Sequence, residues 1–343
     1  MRLGSGEAHR PVLSYPDSSN LSLLSKITVK STYRRLANKG SLHRFFNVLV
    51  LHSVVACALA CPNLTHAQDS NSAKSVLEKP PASKAKQSDS LQGRVPQKIS
   101  KGKRCLFIGH SFFIPVANSF SKKVSQAGIQ SHTQQSVFAG GANGSPGRLW
   151  KNERKRSEIL KILDTGKVEL LGMTYFSPNN SSLDDYRKWI DYALKKNKKT
   201  TFFIGLPWGL NGPSSSLAAF AATSTLGQAV VYQGTVLKLR ELYPDNRFYW
   251  ANYGRVAVEL KRKFEKGQLS GLKSMISRSG KNAIFRDKMG HAASKTLEMA
   301  ALVWLAVLYN VDLAGKDWGL GEDKQLIEIV KTISQQEQAF NRN

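Results

Sequence analysis

From residue 104 onward the chain alternates short apolar runs with longer stretches in which apolar residues recur every three or four positions. The runs at 104–109, 168–173, 201–206 and 248–251 are too short for helices and show no polar alternation, which is the pattern of strands buried on both faces. Residues 134–138 form a further, more polar candidate strand. Between these segments, residues 116–127, 152–163, 183–195, 226–242 and 256–264 read as helices, and in the third Leu183, Tyr186, Ile190 and Leu194 fall on one face. A longer apolar helix is expected at 297–309. Strands separated by helices of ten or more residues predict a parallel sheet covered on both faces, an α/β three-layer αβα sandwich of about 210 residues over 103–315. Residues 316–343 read as a C-terminal extension, helical in character, and no internal repeat is present.

The first hundred residues have a different texture. Arg34, Arg35, Lys39 and Arg44 precede an apolar run at 45–60, and Thr65-His66-Ala67 supplies the small residues a signal peptidase reads. The run is short of the roughly 20 residues that a membrane span needs. Residues 1–67 are therefore expected to be a signal peptide with a long basic leader, and the protein to be exported to a periplasmic or extracellular location. The segments ending in Cys57 and Cys61 are poor matches to lipoprotein attachment sites. Residues 68–102, rich in Ser, Lys, Gln and Pro, read as a disordered linker. Removal of the signal leaves Cys105 as the only thiol, so no intrachain disulfide is expected, and Cys105 itself reads as a small buried hydrophobe.

Charge narrows the partners. The formal net charge is +26, and the first 67 residues carry only eight Lys or Arg against two acids, so the mature chain stays strongly basic. For an exported protein the matching polyanions are acidic or sulfated glycans and anionic envelope surfaces. The basic residues are scattered over helices without interleaved aromatics, so nucleic acid is not expected, and solvated helix faces are the favoured reading of them.

Candidate chemistry sits in two segments far apart in sequence. Gly109 permits a tight turn after the first strand, and that turn delivers Ser111 to the carboxyl edge of the sheet, where ligands bind in such folds. After signal removal the histidines are His110, His132 and His291. His110 adjoins Ser111 at a turn, where neighbouring side chains diverge, and His132 lies at the amino-terminal end of a strand. His291, at the start of the long apolar helix, remains as the base, with Asp287 four residues earlier to orient it. A glycine cluster, Phe138-Ala139-Gly140-Gly141-Ala142-Asn143-Gly144, follows the second candidate strand, and the Gly141 N–H joins that of Ser111 as a candidate oxyanion donor. Other readings remain beside these: a helix cap for Ser111, a loop without ligand, or a phosphate cradle, which here lacks the Lys-Ser/Thr ending of a P-loop. No cofactor and no metal is called for.

In these blocks the chain resembles the SGNH (GDSL-type) hydrolase superfamily, and within it the members with an Ile-Gly-Asn-Ser nucleophile block. Phe107-Ile108-Gly109-His110-Ser111 resembles that block, residues 139–142 the glycine block, and Asp287-Lys288-Met289-Gly290-His291 the last block. The resemblance implies a flavodoxin-like fold and ester hydrolysis through an acyl-serine intermediate, with Ser111, His291 and Asp287 catalytic. Basic charge and export together point to a small ester or acylated carbohydrate, such as an acetylated polysaccharide, as substrate. Three departures stand out. His110 occupies the position of an Asp or Asn, three residues rather than two separate the acid from the histidine, and the third block's side-chain oxyanion donor must come from Thr174, Asn179 or Asn180. The rival reading is a module of the same fold, its triad decayed, that binds an anionic glycan or envelope polymer. Trp150, Trp208 and Trp250 suit either sugar stacking or core packing.

Overall fold

The computed structural model describes residues 101–209 and 211–341. The expected signal segment, and the expected linker up to residue 100, lie outside the described residues. Five strands, β1 (Arg104–Gly109), β2 (Thr133–Phe138), β3 (Leu170–Thr174), β4 (Thr201–Gly205) and β5 (Phe248–Ala251), form one sheet in the order β2-β1-β3-β4-β5. Every neighbouring pair is parallel. This is the order of flavodoxin-like sheets, and helices cover both faces.

The two faces follow from side-chain alternation along the strands. Cys105, Phe107, Leu170, Phe203, Tyr249 and Ala251 point into one core, while Leu106, Ile108, Leu171, Met173, Phe202, Ile204, Phe248 and Trp250 point into the other. The first core is closed by α1 (Ile114–Gln126), α7 (Arg255–Glu265), α8 (Ser294–Tyr309) and α9 (Lys324–Ala339). The second is closed by α2 (Pro146–Lys151), α3 (Glu153–Leu163), α4 (Leu183–Lys196) and α6 (Leu237–Leu242). Helix α8 is apolar nearly all round because it lies between α1 and α9 and over the sheet, and from Met299 to its end every residue is buried. Its Trp304 sits among Phe107, Phe113, Phe203 and Tyr253, with ring centroids 4.7–5.5 Å away. Truncating such a residue typically costs about 3–5 kcal/mol. No helix among the described residues is long and apolar enough to cross a membrane.

Where the sequence pattern placed a helix at 226–242, the chain is already helical from Leu217. An α-helix, α5 (Leu217–Gly227), runs into a π-helical stretch (Gln228–Val236) and then into α6. The first part is small and apolar on every side, so it carries no stripe, and its start is marked only by Ser216, whose side chain accepts from the Ala219 N–H. Two short parallel strands, β6 (Ser274–Ile276) and β7 (Ala283–Phe285), form a separate ribbon. At three residues each they are too short to show a period.

This topology brings the turn after β1 to one edge of the sheet. The chain leaves β1 toward β2 on one side and returns to β3 on the other, so the carboxyl end of β1 is a switch point, where such sheets leave a crevice. Ser111 lies two residues beyond that end.

Candidate active site

The turn after β1 is built from the core outward. The Phe113 and Ile114 N–H groups both donate to the His110 carbonyl, and the Phe112 N–H donates to His110 Nδ1. With Nδ1 accepting, the ring proton sits on Nε2, which donates toward the Tyr175 carbonyl at the end of β3 (3.2 Å). His110 thus does what an Asp or Asn does in an Asx-turn, bonding the backbone two residues on. In addition it ties the Ser111 turn to the neighbouring strand. It is buried, and burial lowers its pKa to about 4, so the ring is neutral over the ordinary pH range. Phe113 packs under the turn against Phe107 and Trp304. A Cβ on Gly109 would come within 2.7 Å of the Phe113 ring, which leaves room for glycine alone at that point.

The second segment is a loop held by hydrogen bonds. Between β7 and α8, the Arg286 N–H donates to the His291 carbonyl and the Ala293 N–H to the Ile284 carbonyl, closing residues 286–291 into a small hairpin. Inside it, Asp287 Oδ1 accepts from the Met289 and His291 N–H groups, and Oδ2 lies 2.7 Å from His291 Nδ1. The three residues between Asp287 and His291 end in Gly290, whose φ of +91° suits glycine. Its carbonyl accepts from the Trp208 indole N–H (2.8 Å). Trp208 stacks on Phe112, and the Phe112 ring meets His291 edge-on.

These two segments meet. His291 Nε2 lies 3.0 Å from Ser111 Oγ, so Ser111, His291 and Asp287 form one hydrogen-bonded chain across 180 residues. Burial alone pushes the Asp287 carboxyl up, but bonds from the His291 ring and from the His291 and Met289 N–H groups outweigh it and hold the carboxyl below its ordinary value. An ionised Asp287 fixes the proton on Nδ1 and leaves Nε2 free to accept from the serine hydroxyl.

The glycine loop lies beside this turn. The Ala139 N–H donates to the Gly109 carbonyl, and a Cβ on Gly144 would lie within 2.7 Å of both Gly109 and Ala139 backbone atoms, so the loop packs directly on the end of β1. Gly141 is exposed at φ +52°, and among the described residues neither its N–H nor that of Ser111 has a hydrogen-bond partner. The candidate side-chain donors are placed otherwise. Thr174 is fully buried, and its hydroxyl bonds to the Tyr175 carbonyl and His110 Nε2. Asn179 is exposed in a short 3₁₀ turn, Pro178–Asn180, and Asn180 is engaged by Arg148 and Ser177. None of the three bonds to Ser111 or lines the cleft beside it.

No protein-family model matches the chain, and no curated protein matches it in sequence. Among solved structures, the lipopolysaccharide acetyltransferase periplasmic domain of Salmonella ser. Paratyphi A is similar at 14% identity and a TM-score of 0.31, over 45% of this chain and 69% of that one. CetZ from Methanosaeta thermophila strain DSM 6194 is similar at 10% identity and a TM-score of 0.33, over 64% of this chain and 57% of that one. Neither likeness carries a functional argument.

The remaining residues singled out in the sequence are structural. His132 bonds to the Tyr309 hydroxyl at the opposite end of the sheet. Burial pushes the Cys105 thiol up to about 12, which leaves it unreactive. Trp208 and Trp250 are buried, and Trp150 packs edge-on against Trp189. The surroundings of Ser111, His291 and Asp287 were not read from the sequence. A cleft of about 630 Å³ holds Ser111, Asp287 and His291 together with Arg278, Arg286 and Lys288. The dense basic and turn-forming run at 277–288 was the available signal, but charge alone does not tell a site from a solvated loop.

Proposed function

We propose that this protein is an exported serine esterase of SGNH type, acting on carboxylic esters such as acetyl groups on carbohydrate. The observation that carries the reading is the hydrogen-bonded chain Ser111 Oγ–His291 Nε2, His291 Nδ1–Asp287 Oδ2, at 3.0 and 2.7 Å. Ser111 Oγ attacks the acyl carbonyl while His291 Nε2 takes its proton, and Asp287 stabilises the imidazolium so formed. The N–H groups of Ser111 and Gly141 receive the oxyanion. Collapse of the tetrahedral adduct breaks the ester bond, with His291 returning the proton to the leaving alcohol. A water then attacks the acyl-serine by the same route in reverse, releasing the acid and restoring Ser111. With Thr174 turned inward and Asn179 exposed, a third donor is left out of this scheme, and the absence of one such donor typically costs about 10²- to 10³-fold in rate.

The test is hydrolysis of 4-nitrophenyl acetate by wild type and Ser111→Ala. Loss of the nucleophile is expected to lower kcat by at least about 10³-fold with the fold unchanged by circular dichroism. Equal rates for the two folded proteins, or no turnover by either, would leave the anionic-glycan module as the better reading.

A further inference from the structure

The cleft beside Ser111 has an unusual charge balance. Its floor is apolar, with Pro115, Ala292 and Leu297, and its rim carries Arg278, Arg286 and Lys288, all exposed. Among the described residues none of these three cations makes a salt bridge or a side-chain hydrogen bond, whereas Arg187, Arg262 and Lys331 on the helices are each paired with an acid. The one acid lining the cleft is Asp287, and both of its oxygens are engaged by His291 and by backbone N–H groups. Two of the cations, Arg278 and Arg286, are held side by side by built contacts. The Ser277 N–H donates to the Phe285 carbonyl, which sets Arg278 and Arg286 on adjoining segments. The Arg286 stem also packs over Gly280, whose φ of +69° turns the loop that carries Arg278. Three like charges gathered at one cleft repel one another unless an anion enters, and an apolar floor beside them suits the carbon frame of that anion.

We infer that the ester acted on at Ser111 carries a negative charge of its own, a carboxylate, sulfate or phosphate, received by Arg278, Arg286 and Lys288. This rests on the esterase reading above. A neutral acetyl ester would use the triad and leave the basic rim idle. An anionic ester is drawn in by the rim and oriented by it, because guanidinium groups bind such anions through paired N–H donors.

The experiment compares three esters: 4-nitrophenyl acetate, which is neutral; 4-nitrophenyl hemisuccinate, with a carboxylate on the acyl part; and 2-carboxy-4-nitrophenyl acetate, with a carboxylate on the alcohol part. For each anionic ester, the ratio of its kcat/KM to that of 4-nitrophenyl acetate is measured in wild type, R278Q, R286Q, K288Q and the triple variant, which cancels intrinsic ester reactivity. The ratio is expected to fall by about threefold for each single variant and by more than about tenfold in the triple. Raising salt to about 0.5 M should bring the wild-type ratio toward that of the triple, since screening lengths then drop below 10 Å. Lys161→Gln, on a distant helix, should leave the ratio unchanged, and so exclude a general charge effect. If the triple variant does not fold, R278Q and the salt series decide, because Arg278 lies outside the loop that carries Asp287. The arm whose ratio falls identifies which part of the ester bears the anion. Turnover of all three esters with ratios the same in wild type and variants would overturn this inference and leave the esterase reading standing. No turnover of any ester by folded wild type would overturn both.

Discussion

The turn that carries Ser111 and the loop that carries His291 reach the same point by opposite means. The serine turn is anchored by burial: Phe113 and His110 are inside, the glycine at 109 lets the Phe113 ring close up, and the loop at 139–144 packs on its backbone. The histidine loop is half-exposed, with His291 and Asp287 side chains 34% and 44% accessible, and is shaped by hydrogen bonds to one carboxylate and one indole. Position can thus come from packing, which is costly to disturb, or from a polar scaffold at the surface, which is cheap for stability and expensive for chemistry. The difference teaches that damage to the two regions should register in different measurements.

Asp287→Asn tests the exposed side and should give the largest effect. It is expected to lower kcat for 4-nitrophenyl acetate by about 10²- to 10⁴-fold, because the amide no longer fixes the Nδ1 proton. The free energy of unfolding in urea should change by no more than about 1 kcal/mol, as for an exposed side chain. A comparable loss in both quantities would erase the contrast between the two regions.

His110 tests the buried side, and its signature is pH dependence of stability. The folded-state pKa, near 4, lies below the ordinary value of 6.5, so the unfolded chain binds the proton first. The contribution is fully present above pH about 6.5 and is lost as pH falls toward 4, amounting to about 3 kcal/mol. Urea unfolding between pH 7 and pH 4 should therefore show wild type losing about that much more stability than His110→Asn, in which the amide can still accept the Phe112 N–H. Parallel curves for the two proteins would mean that His110 does not hold the turn as described.

How much of this was legible in the sequence follows the same division. The strands β1, β3, β4 and β5 were readable because they are buried on both sides and so are written as unbroken apolar runs. The residues that meet at the site, Ser111, His291 and Asp287, were readable because so few histidines lie between residues 101 and 341 and the glycine turns punctuate the chain nearby. The role of His110 was hidden, since its tie to Tyr175 depends on a strand end more than sixty residues away. Thr174 offered a hydroxyl at the right strand end, but the sequence does not say that its partners would be Tyr175 and His110. The basic rim was hidden for a similar reason: Arg278 and Arg286 are brought together by a three-residue strand pair and a glycine turn.

The central claim, that Ser111 is acylated by an ester under the control of His291, is tested most directly by trapping that intermediate. Wild-type protein is mixed with 4-nitrophenyl acetate, quenched in acid within the first turnover, digested, and analysed by mass spectrometry. An acetyl group on Ser111, present in wild type and lost in His291→Ala, is the expected result. Folded wild type that carries no acetyl on Ser111, or that carries it equally in His291→Ala, would contradict the claim.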